Sequence, residues 1–118
     1  MGYTTDFYGE FKLNKPLDLE TFNFLKNFSE ERHEDGDVPG IWCQWIPTND
    51  KEGIEWDGNE KFYEYIEWLK YLIKNFLSPK GYVLNGEVEW DGEERGDTGK
   101  IIVKDNIVET KKGKIIYE

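Results

Sequence analysis

Cys43 and His33 are the only thiol and the only imidazole in the chain. Such a pair is the minimum for nucleophilic catalysis, because the imidazole can take the proton of the thiol. However, Cys43 lies inside the run Ile41-Trp42-Cys43-Gln44-Trp45, where a strand would bury it as a small apolar residue. His33 lies in an acidic segment with no pattern that would orient its ring. We therefore predict a structural cysteine and a protein that is not an enzyme.

Carboxylates and glycines are concentrated in Asp91-Gly92-Glu93-Glu94-Arg95-Gly96-Asp97. Oxygen ligands of this kind can hold a hard cation. The segment is not an EF-hand loop, since Arg95 stands at a ligand position and Ile102 stands where the bidentate Glu would be. A zinc site would need more Cys and His ligands than the chain has. We predict an exposed hairpin loop with no metal and no cofactor.

The acidic residues form two clusters, one around Arg32 and one from Glu87 to Asp97. The chain has 25 acidic and 15 basic residues, a formal net charge of −10. Such a surface repels bare nucleic acid and anionic membranes, but it can enter a basic nucleic-acid groove of another protein. The alternative is that these charges only keep the protein in solution. The predicted binding residues are Glu30, Glu31, Glu34, Asp35, Asp37, Glu89, Asp91, Glu93, Glu94 and Asp97.

A different class of function would use aromatic side chains. The chain has 5 Trp, 7 Tyr and 7 Phe. Exposed rings can stack a nucleobase or another flat ligand. The alternative prediction is therefore a module that binds a small ligand or a nucleotide, with aromatic walls from Trp42, Trp45 and Tyr82.

Two helices must position these residues. Asp18 is a candidate N-cap for a helix through about Arg32, in which Leu19, Phe22, Leu25 and Phe28 recur at steps of three and four. A longer helix is predicted from about Glu60 to Leu77, with Asn59 as its N-cap. Its apolar stripe is Phe62, Ile66, Leu69, Ile73 and Phe76, which would pack on one face of a sheet.

About six strands complete the prediction. They span residues 3–13, 41–46, 53–56, 82–90, 100–104 and 107–110, the last continuing into 115–117. The pentapeptide Ile54-Glu55-Trp56-Asp57-Gly58 recurs as Val88-Glu89-Trp90-Asp91-Gly92. Alternation puts both tryptophans on a buried face, and each Asp-Gly pair predicts a turn. The short connections favour an α+β fold with a mostly antiparallel sheet and two helices.

The length and composition indicate one domain over residues 1–118. A single cysteine excludes an internal disulfide and is typical of a reducing compartment. The first residues lack the basic start and apolar run of a secretion signal, and no apolar stretch is long enough to span a bilayer. We therefore expect a cytoplasmic protein that does not insert into membranes. Its oligomeric state is left open.

Three Trp-centred blocks carry a resemblance to known sequences. Gly40-Ile41-Trp42-Cys43-Gln44-Trp45-Ile46-Pro47, Ile54-Glu55-Trp56-Asp57-Gly58 and Asn85-Gly86-Glu87-Val88-Glu89-Trp90 resemble a group of small uncharacterised proteins from bacteriophage and bacterial genomes. The resemblance implies a small accessory protein of phage type. By analogy, such proteins often inhibit host defence. The leading prediction is a non-enzymatic, anti-CRISPR-like inhibitor whose acidic loops bind a basic, nucleic-acid-binding surface of a host protein.

Overall fold

A computed structural model describes residues 3–34 and 36–112. The described residues form an α+β fold with one antiparallel sheet, as predicted, and the strand order is β3-β4-β2-β5-β6-β7, with β1 also paired to β5. The strands are β1 (Thr5–Tyr8), β2 (Glu10–Leu13), β3 (Trp45–Pro47), β4 (Gly53–Trp56), β5 (Leu84–Gly92), β6 (Thr98–Lys104) and β7 (Ile107–Lys112). The helices are α1 (Leu19–Glu30) and α2 (Tyr65–Leu72).

The first predicted strand is interrupted at Gly9, so the sheet has seven strands rather than about six. Gly9 has φ +107°, and a Cβ there would be 3.1 Å from the Glu87 carbonyl oxygen. The register on β5 is the same on both sides of the interruption, since Tyr8 pairs with Glu89 and Phe11 pairs with Gly86. β1 and β2 therefore act as one long strand beside β5. The predicted strand 115–117 lies outside the described residues.

Helix α1 begins as predicted and ends two residues earlier. The Asp18 carboxylate accepts a hydrogen bond from the Thr21 N–H at 2.7 Å, which satisfies one of the free donors of the first turn. Thr21 and Leu25 are the buried residues of α1. The helix ends at Glu30, and its last turn contains no basic residue.

Helix α2 begins at Tyr65, and the prediction of a start at Glu60 with an Asn59 cap was wrong. Lys61 and Glu64 have φ +61° and +58°, which a right-handed helix does not accommodate. In addition, the Glu60 carbonyl accepts a hydrogen bond from Gln44 Nε2 at 3.0 Å. After α2 the chain continues as a π-helical turn (Ile73–Leu77) and a 3-10 turn (Ser78–Lys80), which ends at Gly81.

Strand β3 is shorter than predicted, because residues 41–44 precede it without strand pairing. Its Trp45 pairs with Trp56 of β4, as expected for a hairpin. The Trp45 indole also donates to the Tyr65 carbonyl at 2.8 Å, at the first turn of α2. This bond fixes the start of α2 over the sheet.

The two echoed pentapeptides meet in one core. Phe7 contacts Trp56 at a ring-centroid distance of 5.3 Å and Tyr65 at 4.9 Å, and Tyr65 contacts Trp90 at 6.1 Å. Trp90 is buried as predicted, whereas Trp56 is only partly buried.

The second Asp-Gly pair is not a turn, contrary to the prediction. Asp91 and Gly92 extend β5, where Asp91 pairs with both Asp6 and Thr98. The chain reverses in residues 93–96 instead, and Gly96 has φ +92°. The echo in sequence therefore corresponds neither to equal burial nor to the same local structure.

Candidate functional site

The acidic segment at residues 30–37 is exposed at the C-terminal end of α1. Glu30 is the last residue of the helix, Glu31 is its C-cap, and both are exposed. Glu34 forms an exposed ion pair with Arg32 at 2.9 Å, and Asp37 is exposed. Asp35 lies outside the described residues. Carboxylates at a helix C-terminus oppose the helix dipole, so their presence there does not serve helix stability.

His33 and Cys43 are held by packing. The His33 ring lies 4.2 Å from the Phe28 ring, and its Nε2 is 3.0 Å from the Phe28 carbonyl oxygen. Cys43 is fully buried, as predicted, and burial raises the pKa of its thiol to about 12. A thiol with that pKa carries almost no thiolate at neutral pH, and the thiolate is the nucleophile. Cys43 therefore serves the core.

The second acidic segment (residues 87–97) is divided between two environments. In β5 the carboxylates of Glu87, Glu89 and Asp91 are exposed on the face of the sheet opposite the core, which we call the open face. Lys100 on β6 lies between the first two, at 3.9 Å from Glu87 and 4.0 Å from Glu89. Such exposed pairs contribute little to stability.

Asp6 is a member of the open face that the sequence did not suggest. It pairs directly with Asp91 across β1 and β5, and both are exposed. Like charges at directly opposed positions are destabilising by a few tenths to about 1 kcal/mol. Only the register between β1 and β5 brings Asp6 into this surface. A count of local charge along the chain does not find it.

Glu93 and Asp97 of the same segment are engaged in hydrogen bonds with other parts of the chain. Glu93 Oε1 accepts a hydrogen bond from the Thr4 N–H at 2.6 Å. Asp97 accepts one from the Tyr3 hydroxyl at 2.6 Å and one from the Trp90 indole at 3.0 Å. The hydrogen bond from Tyr3, and then that from Trp90, lower the pKa of the Asp97 carboxyl. These two carboxylates attach the N-terminal residues to the loop, and only part of the predicted set is free to bind.

Asp97→Ala should lower the free energy of unfolding by about 1–3 kcal/mol, because the buried Trp90 N–H loses its acceptor. Asp97→Asn keeps an acceptor oxygen and should lose less. The pKa of the Asp97 carboxyl is lower in the folded protein than in the unfolded chain. The ionised carboxylate therefore stabilises the fold fully at pH values above its pKa in the unfolded chain. This stabilisation is lost as the pH falls through its pKa in the folded protein. Urea unfolding at neutral and acidic pH measures both effects.

The control is Glu94→Ala, an exposed neighbour in the same loop. Equal losses for Glu94→Ala and Asp97→Ala would contradict this role.

The three aromatic residues predicted to form a ligand wall are not all exposed. Trp45 is 1% exposed and Tyr82 is 4% exposed, so both belong to the core and that part of the prediction was wrong. The Tyr82 hydroxyl donates to the Asp18 carboxylate at 3.0 Å and accepts from the Asp18 N–H at 2.9 Å. Trp42, in contrast, is 45% exposed.

Trp42 stands between two cavities of about 530 and 480 Å³, and its side chain lines both. Gln44 also lines both cavities and is held by its hydrogen bonds to Glu60 and to the Trp56 indole. We call these two cavities with Trp42 the Trp42 groove. Its remaining lining includes Lys26, Glu30 and Asp57 on one side and Ile41, Glu60, Lys61 and Tyr63 on the other. Side chains alternate between the two faces of a strand, so a strand through residues 41–45 would also place Trp42 on the face opposite Cys43 and Trp45.

Two further features bear on chemistry. Within residues 3–34 and 36–112, no group of three or more His, Cys, Asp or Glu side chains is placed to hold a metal ion. In the same residues, no helix has both the length and the apolar character needed to cross a membrane.

Comparison with protein-family models, with curated proteins and with solved structures finds no match to this chain.

Proposed function

We propose that this chain is a non-enzymatic binding protein that attaches to a basic, nucleic-acid-binding surface of a partner protein. Its setting would be the bacterial cytoplasm, where it would inhibit a host defence system such as a CRISPR effector. The observation that carries the proposal is the placement of exposed carboxylates where they weaken the fold. Glu30 and Glu31 oppose the dipole of α1, and Asp6 faces Asp91 across the sheet.

Electrostatics supports a basic protein as the partner. A net charge of −10 raises the rate of encounter with a basic groove and repels nucleic acid and anionic lipid. The acidic residues lie on the open face and at the end of α1 as exposed groups, so they are available for contact. The host-defence setting rests on the resemblance to small phage proteins described above.

The alternative of a small-ligand module has less support, because Trp45 and Tyr82 cannot serve as walls. What remains of it is the Trp42 groove.

Reversal of charge at Glu31, Asp91 and Glu94 should weaken partner binding by about a hundredfold, or about 2.7 kcal/mol. The three side chains are exposed, and each substitution by Lys adds two charges, so the net charge moves from −10 to −4. The measurement is binding to a purified defence effector by calorimetry at low and high salt. Binding by the parent protein should weaken steeply with salt, since salt screens exposed charges.

The matched control reverses Glu20, Glu52 and Glu67, which are exposed and lie outside both acidic segments. It has the same net charge, so it should retain most of the affinity if location matters. In parallel, plaque assays compare hosts with and without the defence system. Absence of protection by the parent protein, or equal affinity of parent and the first triple variant, would refute the proposal.

A further inference from the structure

The Trp42 groove presents a large apolar side chain on a fixed segment. The His33 N–H donates to the Ile41 carbonyl at 2.8 Å, immediately before Trp42. Cys43, immediately after Trp42, is fully buried. The Gln44 side chain is fixed by two hydrogen bonds, one to the Glu60 carbonyl and one from the Trp56 indole. The exposed indole is therefore pre-positioned, which lowers the entropy lost when a partner binds. Tyr63, 51% exposed, and Ile41, also exposed, extend the apolar surface.

Carboxylates outnumber amines around the indole. Glu30 and Asp57 line one cavity and Glu60 lines the other, against Lys26 and Lys61. In the described part of the chain, no ion pair engages any of these three carboxylates. The Lys26 ammonium lies 5.5 Å from the Phe22 ring centroid, on the neighbouring helix turn. The Asp57 carboxylate is oriented by the hydrogen bond that it accepts from the Asn59 N–H at 2.8 Å.

This combination fits an arginine side chain better than other ligands. A guanidinium stacks on an indole face, where the ring quadrupole attracts cations, and it can also bind a carboxylate with two parallel hydrogen bonds. A nucleotide would gain the same stacking, but its phosphates would meet the carboxylates of Glu30, Asp57 and Glu60 and the negative charge of the whole protein. Charge complementarity therefore selects a cationic occupant.

We propose that the Trp42 groove is the anchor site for arginine side chains of the basic partner surface, stacked on Trp42 and paired with Asp57 or Glu30. This inference rests on the proposed function and names the contact that carries its specificity. The acidic segments attract the partner from a distance, whereas the groove fixes one position of its surface. Aromatic anchors in the centre of an interface commonly carry most of its binding energy.

The test uses a short acetylated peptide of alternating glycine and arginine, titrated into the ¹⁵N-labelled protein. The 5 Trp indole N–H resonances are followed by NMR, and the Trp42 signal is assigned by its loss in Trp42→Phe. The Trp42 signal should shift saturably. Trp42→Ala should weaken binding at least tenfold, and Asp57→Asn should weaken it severalfold while keeping the acceptor for Asn59. A peptide with citrulline, which is neutral, should not bind.

The matched control is Tyr8→Ala. Tyr8 is 55% exposed on the open face, beside Glu89 and Asp91, and so offers an aromatic ring with carboxylates outside the groove. It should retain full affinity. The remaining indole resonances of each variant report whether the fold is intact.

Several outcomes would overturn the inference. Unchanged peptide affinity in Trp42→Ala, or loss of affinity in Tyr8→Ala instead, would place the contact elsewhere. A shift of the Trp42 signal with adenosine or cyclic nucleotides but not with the arginine peptide would identify a small-ligand site.

Two outcomes separate the anchor site from the proposed function. If the charge reversal at Glu31, Asp91 and Glu94 weakens binding to the effector while Trp42→Ala does not, the proposed function stands and the anchor site fails. If the peptide binds at Trp42 but no defence system is inhibited, the anchor site stands and the proposed function fails.

Discussion

Trp90→Ala should lower the free energy of unfolding by about 3–5 kcal/mol, as truncation of a large aromatic side chain in a core does. Trp90 is 5% exposed in the longest strand, β5, which pairs with β1, β2 and β6. Its ring covers Gly99 on the neighbouring strand and approaches Tyr65 of α2. Removal of the ring would leave a cavity where the sheet meets the helix.

Part of this loss comes from a hydrogen bond. Trp90→Phe keeps most of the packing but removes the indole N–H that donates to Asp97. It should therefore cost less than Trp90→Ala, and its cost should not add to that of Asp97→Ala, because both variants break the same bond. Additive losses would show that the bond contributes little.

Denaturant unfolding followed by circular dichroism measures these differences. Trp42→Ala is the matched control, because it removes the same side chain from an exposed position. It should change stability by much less than Trp90→Ala. Equal losses in the two variants would mean that the buried and exposed tryptophans have been assigned incorrectly.

The sheet could be predicted from the sequence because alternation and turn residues are local signals. β4 has its predicted bounds, Gly53–Trp56, and the N-cap of α1 at Asp18 was also predicted correctly. The start of α2 could not be predicted. Residues 60–64 have the apolar spacing of a helix, but Gln44 takes the Glu60 carbonyl from a distant part of the chain. Tertiary hydrogen bonds of this kind override local preference.

The candidate site was predictable only in part, for a similar reason. Local charge density identifies Glu31 and Asp91 as exposed acidic residues, but it does not distinguish them from Asp97. Asp97 is the acceptor for Trp90, seven residues earlier, and for Tyr3, ninety-four residues earlier. Likewise, alternation along the chain would place Trp42 and Trp45 on opposite faces but does not say which face is buried, and only the packing shows that Trp45 is the buried ring.

Gly99→Ala should lower the free energy of unfolding by at least about 2 kcal/mol, near the upper range for overpacked cores. Gly99 pairs with Trp90 on one side and with Lys112 on the other. A Cβ at this position would overlap both the Trp90 ring and the Lys111 carbonyl oxygen. The ring could move, but the backbone oxygen belongs to β7 and cannot move without opening the β6–β7 ladder.

The matched control is Gly36→Ala, since a Cβ at Gly36 would have no atom of the other described residues within 4 Å, its chain neighbours aside. It should leave the unfolding midpoint nearly unchanged. A double-mutant cycle then separates the two overlaps of Gly99. In the Trp90→Ala background the added methyl no longer meets the ring, while its overlap with the Lys111 oxygen remains, so Gly99→Ala should cost less there than in the parent protein. If the two costs simply add, the Trp90 ring does not occupy the space above Gly99, and the packing between β5 and β6 described above is wrong.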